Sequence, residues 1–129
     1  MSDEQEPIVV VVADDDAVTR RLLSVLLERE GHIVHTAADG EQALELIGKE
    51  HPAVLFLDAQ MPPPDGYQLC ALVRADETLP VQPVIIMITA AGQETDRARA
   101  LVAGVDDFIT KPFSPSQLSA RLRERPQRS

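Results

Sequence analysis

Two apolar runs of this chain end in carboxylates. Ile8 to Ala13 opens onto Asp14-Asp15-Asp16, and Ala53-Val54-Leu55-Phe56-Leu57 ends at Asp58, ahead of Met61-Pro62-Pro63-Pro64-Asp65-Gly66. A single Asp after an apolar run is usually a turn former or a helix cap. Three in succession are a different matter: one can cap the following helix, but the others repel unless a cation or a lysine stands between them. Two more runs end in groups that such acids lack. Val84-Ile85-Ile86-Met87-Ile88 leads to Thr89-Ala90, offering a hydroxyl and backbone amides, and Val105 to Ile109 leads to Thr110-Lys111-Pro112-Phe113, offering an ammonium. Taken singly, a Thr or a Lys in these places is most often solvated surface. Only at the ends of neighbouring strands would they complete a site.

The pattern between these groups supplies that arrangement. Apolar runs at Ile8–Ala13, Ile33–Thr36, Ala53–Leu57, Val84–Ile88 and Val105–Ile109 alternate with amphipathic segments. Most runs are apolar throughout, as in parallel strands covered on both faces, whereas His32-Ile33-Val34-His35 alternates and is placed at an edge. Val18, Leu22, Val25 and Leu26 read as the inner face of a first helix stopped by Gly31, and Asp39 with Gln42 as a capping box for a second. Leu69, Leu72 and Val73 stripe a third helix; Ala98, Leu101 and Val102 stripe a fourth, closed by Gly104. Ser114-Pro115-Ser116-Gln117 begins the last, which Pro126 breaks. The result is an α/β, doubly wound (βα)5 fold of the flavodoxin-like type, with a five-stranded parallel sheet in the order 2-1-3-4-5. In that order the ligand crevice lies between the carboxyl ends of strands one and three. Asp14, Asp15 and Asp58 should therefore share one pocket.

Composition narrows the class. The 129 residues suit one domain, which we place at 8–125 between an N-terminal tail, 1–7, and a C-terminal tail or linker stub, 126–129. A net charge of −9 argues against direct nucleic-acid binding by this domain and predicts a soluble cytoplasmic protein. Cys70 is the only cysteine, so an internal disulfide and a thiolate zinc site are both excluded; it reads as a buried thiol. No apolar stretch approaches a membrane span, and the acidic N-terminus is unlike a signal peptide. No membrane partner is expected.

In order and spacing, Asp14-Asp15, Asp58, Thr89 and Lys111-Pro112 resemble the receiver domain of two-component response regulators, over about Ile8 to Arg123. The resemblance implies that Asp58 is the phosphoacceptor, taking a phosphoryl group from a sensor histidine kinase or phosphotransfer protein. It implies Mg2+, or Mn2+, held by Asp15 and Asp58 directly, by Asp14 through water and by the backbone carbonyl of Gln60. Lys111 would meet the phosphoryl oxygens, with its bond to Pro112 cis, and Thr89 would donate its hydroxyl. Ala59 and Ala90 would add backbone amides. Asp16 is then spare, exposed or capping the first helix.

The resemblance also implies an output. The added phosphoryl charge draws Thr89 and its loop inward, leaving room for the aromatic side chain of Phe108 to turn in as a switch. Gln60 and Ala91 stand where the family tunes phosphoryl lifetime. The stretch Thr95 to Arg121 resembles receivers that form a homodimer through helix 4, strand 5 and helix 5. Arg97, Asp106, Asp107 and Arg121 fit the charges of that face, while Gln117 replaces its usual Glu. The partner downstream is a protein or a fused effector domain. In this reading the chain is no enzyme beyond catalysing its own phosphorylation and dephosphorylation. Two other readings stay open: a degenerate receiver acting as a phosphorylation-independent scaffold, and an aspartyl-phosphate hydrolase of the haloacid dehalogenase type using Asp14 as nucleophile.

Overall fold

Apolar residues at successive strand positions need cover on both faces of a sheet, and the chain provides it. The computed structural model describes residues 6–90 and 97–127, with Arg97 represented by its backbone alone. Strands and helices alternate as β1 (Val9–Ala13), α1 (Ala17–Arg29), β2 (Ile33–Ala37), α2 (Gly40–Glu50), β3 (Val54–Asp58), α3 (Gly66–Ala75), β4 (Val84–Ala90), α4 (Arg97–Ala103), β5 (Asp107–Lys111) and α5 (Pro115–Arg123). All the strand pairings are parallel, in the order β2-β1-β3-β4-β5. This is the flavodoxin-like arrangement read from the sequence, with the alternating segment at an edge.

Each face of the sheet has its own core. Val11, Leu55, Leu57, Ile85 and Met87 pack against Ala43 and Ile47 of α2, Leu69 and Val73 of α3, and Ala100 of α4. On the opposite face Val10, Val12, Phe56, Ile86 and Ile88 meet Leu23 and Leu27 of α1 and Leu118 and Leu122 of α5. Each fully buried aliphatic side chain contributes roughly 1.5–3 kcal/mol. Cys70 is buried in the first core and directs its thiol to the Ala103 carbonyl.

Several helix faces differ from the expectation. In α1 the buried line is Thr19, Leu23 and Leu27, whereas Val18 is 75% exposed and Leu22 44%. This helix has apolar residues around much of its circumference, so periodicity alone did not select a face. In α4, Ala100 is buried while Leu101 and Val102 are 77% and 91% exposed. There the small residue lets the helix approach α3 closely. In α3, Leu69 and Val73 are buried together with Cys70, and Leu72 is half exposed.

Strand five is also displaced. It begins at Asp107, two residues later than expected, because the Asp106 carboxylate is drawn to Arg74 and accepts from the Ile85 amide. Thr110 and Lys111 are consequently strand residues, paired with Thr89 and Ala90 of β4.

Capping follows the sequence with one shift. Ser114 and Gln117 form the reciprocal box, with Pro115 in the first turn. Asp39 caps Gln42, but the Gln42 side chain accepts from Ala38 and not from Asp39 itself.

The β3–α3 connection brings backbone onto backbone at Gly66. A Cβ at this position would fall within 2.8 Å of Met87 Sδ and closer still to the Asp58 carbonyl. Backbone cannot yield as a side-chain tip can, so Gly66→Ala is expected to lose about 2–3 kcal/mol in urea unfolding. A loss below about 0.5 kcal/mol would show that the loop relaxes freely.

Candidate functional site

The topology brings the acids together. Asp58 is the last residue of β3, Asp14 follows β1, and those strands are neighbours with Ala13 beside Leu57. Asp14 extends the ladder, donating its amide to the Ala37 carbonyl at 3.1 Å. One carboxylate oxygen from each of Asp14, Asp15 and Asp58 lies within 4.8 Å of the others. Asp14 is fully buried and Asp58 7% exposed, while Asp15 faces solvent. Asp16 stands apart from this cluster as the N-cap of α1, accepting from the Val18 amide and the Thr19 hydroxyl.

Lys111 reaches in from β5. Its Nζ is 3.1 Å from Asp14 Oδ2 and 3.9 Å from Asp58 Oδ2. The peptide bond from Lys111 to Pro112 is cis, as is that between Pro63 and Pro64. Asp14 Oδ1 accepts from the Asp16 amide at 2.8 Å, and Asp58 Oδ1 from the Gln60 amide at 3.0 Å. Asp14 Oδ2 has the ammonium nearby but makes no well-formed hydrogen bond.

One lysine does not balance these carboxylates. Burial is the main force pushing the Asp58 carboxyl up, to about 7; the Gln60 amide opposes it, the Asp14 charge reinforces it, and Lys111 opposes it again. A second source of positive charge is what this geometry lacks. The donors are all oxygens, with neither histidine nor thiolate among them, so the residues fit a hard divalent cation such as Mg2+ or Mn2+.

A melting experiment tests this. At pH 7.5 and constant ionic strength, Mg2+ in excess should raise the melting temperature, by the equivalent of about 2.7 kcal/mol at a hundred times Kd. Asp15→Asn should diminish the effect. Equal melting curves in Mg2+ and in matched NaCl would refute a cation site.

The remaining predicted residues occupy distinct places. Thr89 is 2% exposed, and its hydroxyl has no hydrogen-bond partner among the described residues. Such a buried group costs about 1–3 kcal/mol, so an incoming acceptor would be favoured there. Ala90 ends β4 beside Lys111 and is exposed. Ala59 differs from expectation: its amide donates to the Ile88 carbonyl at 2.9 Å, closing the β3–β4 ladder, and is not a spare donor in this state. The amide turned toward the acid is that of Gln60. Phe108 is half-buried, packed at the margin of the core that contains Met87, and its carbonyl accepts from Arg121.

The charges assigned to the helix 4, strand 5 and helix 5 face separate. Arg121 lies 3.7 Å from Asp107, whereas Asp106 is directed inward to Arg74. The Arg97 side chain and Ala91 lie outside the described residues.

Sequence reading missed some supporting groups. Asp65 and Gln68 form a complete capping box that starts α3, and their spacing was visible in the sequence. Arg20 donates to the Asp14 carbonyl at 2.7 Å, a contact that no local pattern signals.

Comparison with known proteins agrees with this geometry. A family model described as the response regulator receiver domain matches residues 10–123. "Probable transcriptional regulator ycf27" of Guillardia theta is 46% identical over 114 residues, which cover 88% of this chain and 43% of that protein. The chain spans less than half the length of the curated relatives it matches. Among solved structures, the receiver domain of the Francisella response regulator 1452 is 31% identical with a TM-score of 0.79, covering 90% of this chain and 93% of that one. Chemotaxis protein CheY4 of Vibrio cholerae is 27% identical with a TM-score of 0.86, over 94% of this chain and all of that one.

Proposed function

Because the chain belongs to the response regulator receiver domain family, we propose that it takes a phosphoryl group onto Asp58 from a phosphohistidine of a sensor histidine kinase or phosphotransfer protein. The observation that carries this reading is the burial of Asp58 at a strand end, with two further carboxylates and the Lys111 ammonium around it. An Asp58 oxygen forms the bond to phosphorus as the bond from phosphorus to the imidazole nitrogen breaks, and the imidazole keeps the electron pair. A carboxylate is a weak nucleophile toward an anionic group, so charge neutralisation and in-line positioning are the main demands.

Asp14, Asp15, Asp58 and the Gln60 carbonyl would hold Mg2+ or Mn2+, which when bound offsets the charge between acceptor and phosphoryl group. Lys111 supplies a point charge to the phosphoryl oxygens, and the Thr89 hydroxyl, unpaired among the described residues, a donor. The amide of Ala90, and that of Ala59 once released from Ile88, would add to the cradle. Thr89 moving toward the new charge and Phe108 turning inward would then alter the α4, β5 and α5 face. That change would control a partner protein, an attached effector domain or a homodimer, in the cytoplasm. No helix among the described residues is long and apolar enough to cross a membrane.

The hydrolase reading is less well supported, since Asp14 is fully buried and engaged by Lys111 and the Asp16 amide. Intact-mass spectrometry after incubation with acetyl phosphate tests the proposal. One phosphoryl mass should appear in Mg2+ and not in EDTA, and borohydride reduction followed by peptide mapping should place it at Asp58. A folded protein that gains nothing in Mg2+ would favour the scaffold reading. A phosphoryl group mapped to Asp14 would favour the hydrolase.

A further inference from the structure

Among the described residues, helix α4 buries few side chains. Of its seven described residues Ala100 is buried and Ala103 packs against the core, while Leu101 and Val102 lie largely in solvent. Helices depend on tertiary contacts for much of their stability, and here one long side chain adds a polar tie to α3 beyond the packing of Ala100 and Ala103. Arg99 places its guanidinium 4.5 Å from the centroid of the Tyr67 ring and bonds Asp65 Oδ2 at 3.1 Å. The two partners belong to the start of α3. Asp65 is its N-cap, with the other oxygen accepting from the Gln68 amide, and Tyr67 is 5% exposed.

This contact touches the acceptor's own loop. Between Asp65 and Tyr67 stands Gly66, whose backbone abuts the Asp58 carbonyl. Arg99 thus joins α4 to the segment resting on Asp58, and a planar guanidinium can stack and hydrogen-bond at once in a way that an ammonium cannot.

We propose that Arg99 is a positioning residue that clasps α4 to the start of α3 in the unphosphorylated protein, and so restrains the conformational change that follows phosphorylation of Asp58. The second half rests on the receiver reading; the first does not. If the clasp is stronger in the resting arrangement, removing it shifts the population toward the other arrangement, by as much as the contact distinguishes the two.

Three variants separate these claims. Arg99→Ala replaces a half-exposed side chain with a good helix former, so folding is preserved. Hydrogen exchange of the unphosphorylated protein should show α4 amides exchanging about five- to tenfold faster, while β1 and β3 amides are unchanged. Arg99→Lys should rescue only part of this, because it loses the stacking. Asp65→Asn keeps the α3 cap but removes the charge, so adding it to Arg99→Ala should change α4 exchange little further. The rate of phosphoryl uptake from acetyl phosphate in Mg2+ should rise about two- to fivefold in Arg99→Ala.

Unchanged α4 exchange in Arg99→Ala would overturn the clasp. Faster exchange with an unaltered uptake rate would overturn the restraint while leaving the clasp in place. If wild type takes up no phosphoryl group at all, the receiver reading has failed, and the exchange results still decide the clasp by themselves.

Discussion

Asp58→Asn will take up no phosphoryl group from acetyl phosphate in Mg2+, and in the absence of divalent cations it will be more stable than wild type at neutral pH. The first outcome follows because an amide has no ionised oxygen to attack phosphorus. The second follows from the electrostatics. In the folded chain the Asp58 carboxyl is pushed up to about 7, mainly by burial, with the Asp14 charge adding to it. Below the carboxyl's ordinary range it is neutral in both the folded and unfolded states and costs nothing. As pH rises from about 4 toward 7 the unfolded chain ionises first, so stability is lost across that window and stays lost above it. The full cost is on the order of a few kcal/mol. An amide in place of this carboxyl would carry no such cost. Urea unfolding in EDTA at pH 4.5 and pH 7.5 measures it: wild type should lose stability between the two by more than the variant does. Parallel profiles would mean that Asp58 ionises in the folded protein as easily as in the unfolded one. A phosphoryl gain in the variant equal to wild type would remove Asp58 from the role of acceptor.

The largest loss of stability is expected at a residue far from that chemistry. Arg74 donates to the Gly104 carbonyl at 3.0 Å, to Gln82 at 2.8 Å, to the Pro83 carbonyl at 2.7 Å and to Asp106 Oδ2 at 2.8 Å. Its side chain is 16% exposed and that of Asp106 7%. The same Asp106 oxygen accepts from the Ile85 amide at 2.8 Å. Arg74→Ala would leave a buried carboxylate without its guanidinium and two carbonyls without that donor, so about 3–5 kcal/mol should be lost in urea unfolding. Arg74→Lys should recover little of it, because an ammonium cannot meet partners spread around a planar fork. Replacing both members, Arg74→Met with Asp106→Leu, should cost less than Arg74→Ala alone, since no charge is then left buried. A single-variant loss under about 1 kcal/mol would mean that water reaches Asp106 and replaces the arginine.

The sheet order and the acid site were legible for the same reason. β1, β3 and β4 are apolar at every position ahead of their functional ends, a pattern that parallel strands covered on both faces require. Once the strands are ordered, Asp14 and Asp58 must meet at adjacent carboxyl ends. Strand ends are short-range facts, and so are caps: Ser114 with Gln117, Asp16 and Asp39 could each be read within a few residues. The register of β5 could not. Val105 and Asp106 precede the strand because of a partner, Arg74, more than thirty residues earlier in the chain.

Helix faces divide in the same way. Leu69 and Val73 turned inward as their spacing suggested, but Val18, Leu22, Leu101 and Val102 did not, because α1 and α4 carry more apolar residues than their neighbours can cover. The occupied amide of Ala59, the Thr89 hydroxyl without a partner among the described residues, and the Arg99 contact across Asp65 and Tyr67 belong to this second kind. By itself the sequence determined which chemical groups stand at which strand ends, since residue identity and periodicity are local. The tertiary structure alone decided which of those groups are buried, balanced or already bonded, since burial and charge depend on distant segments that the fold brings within a few ångströms.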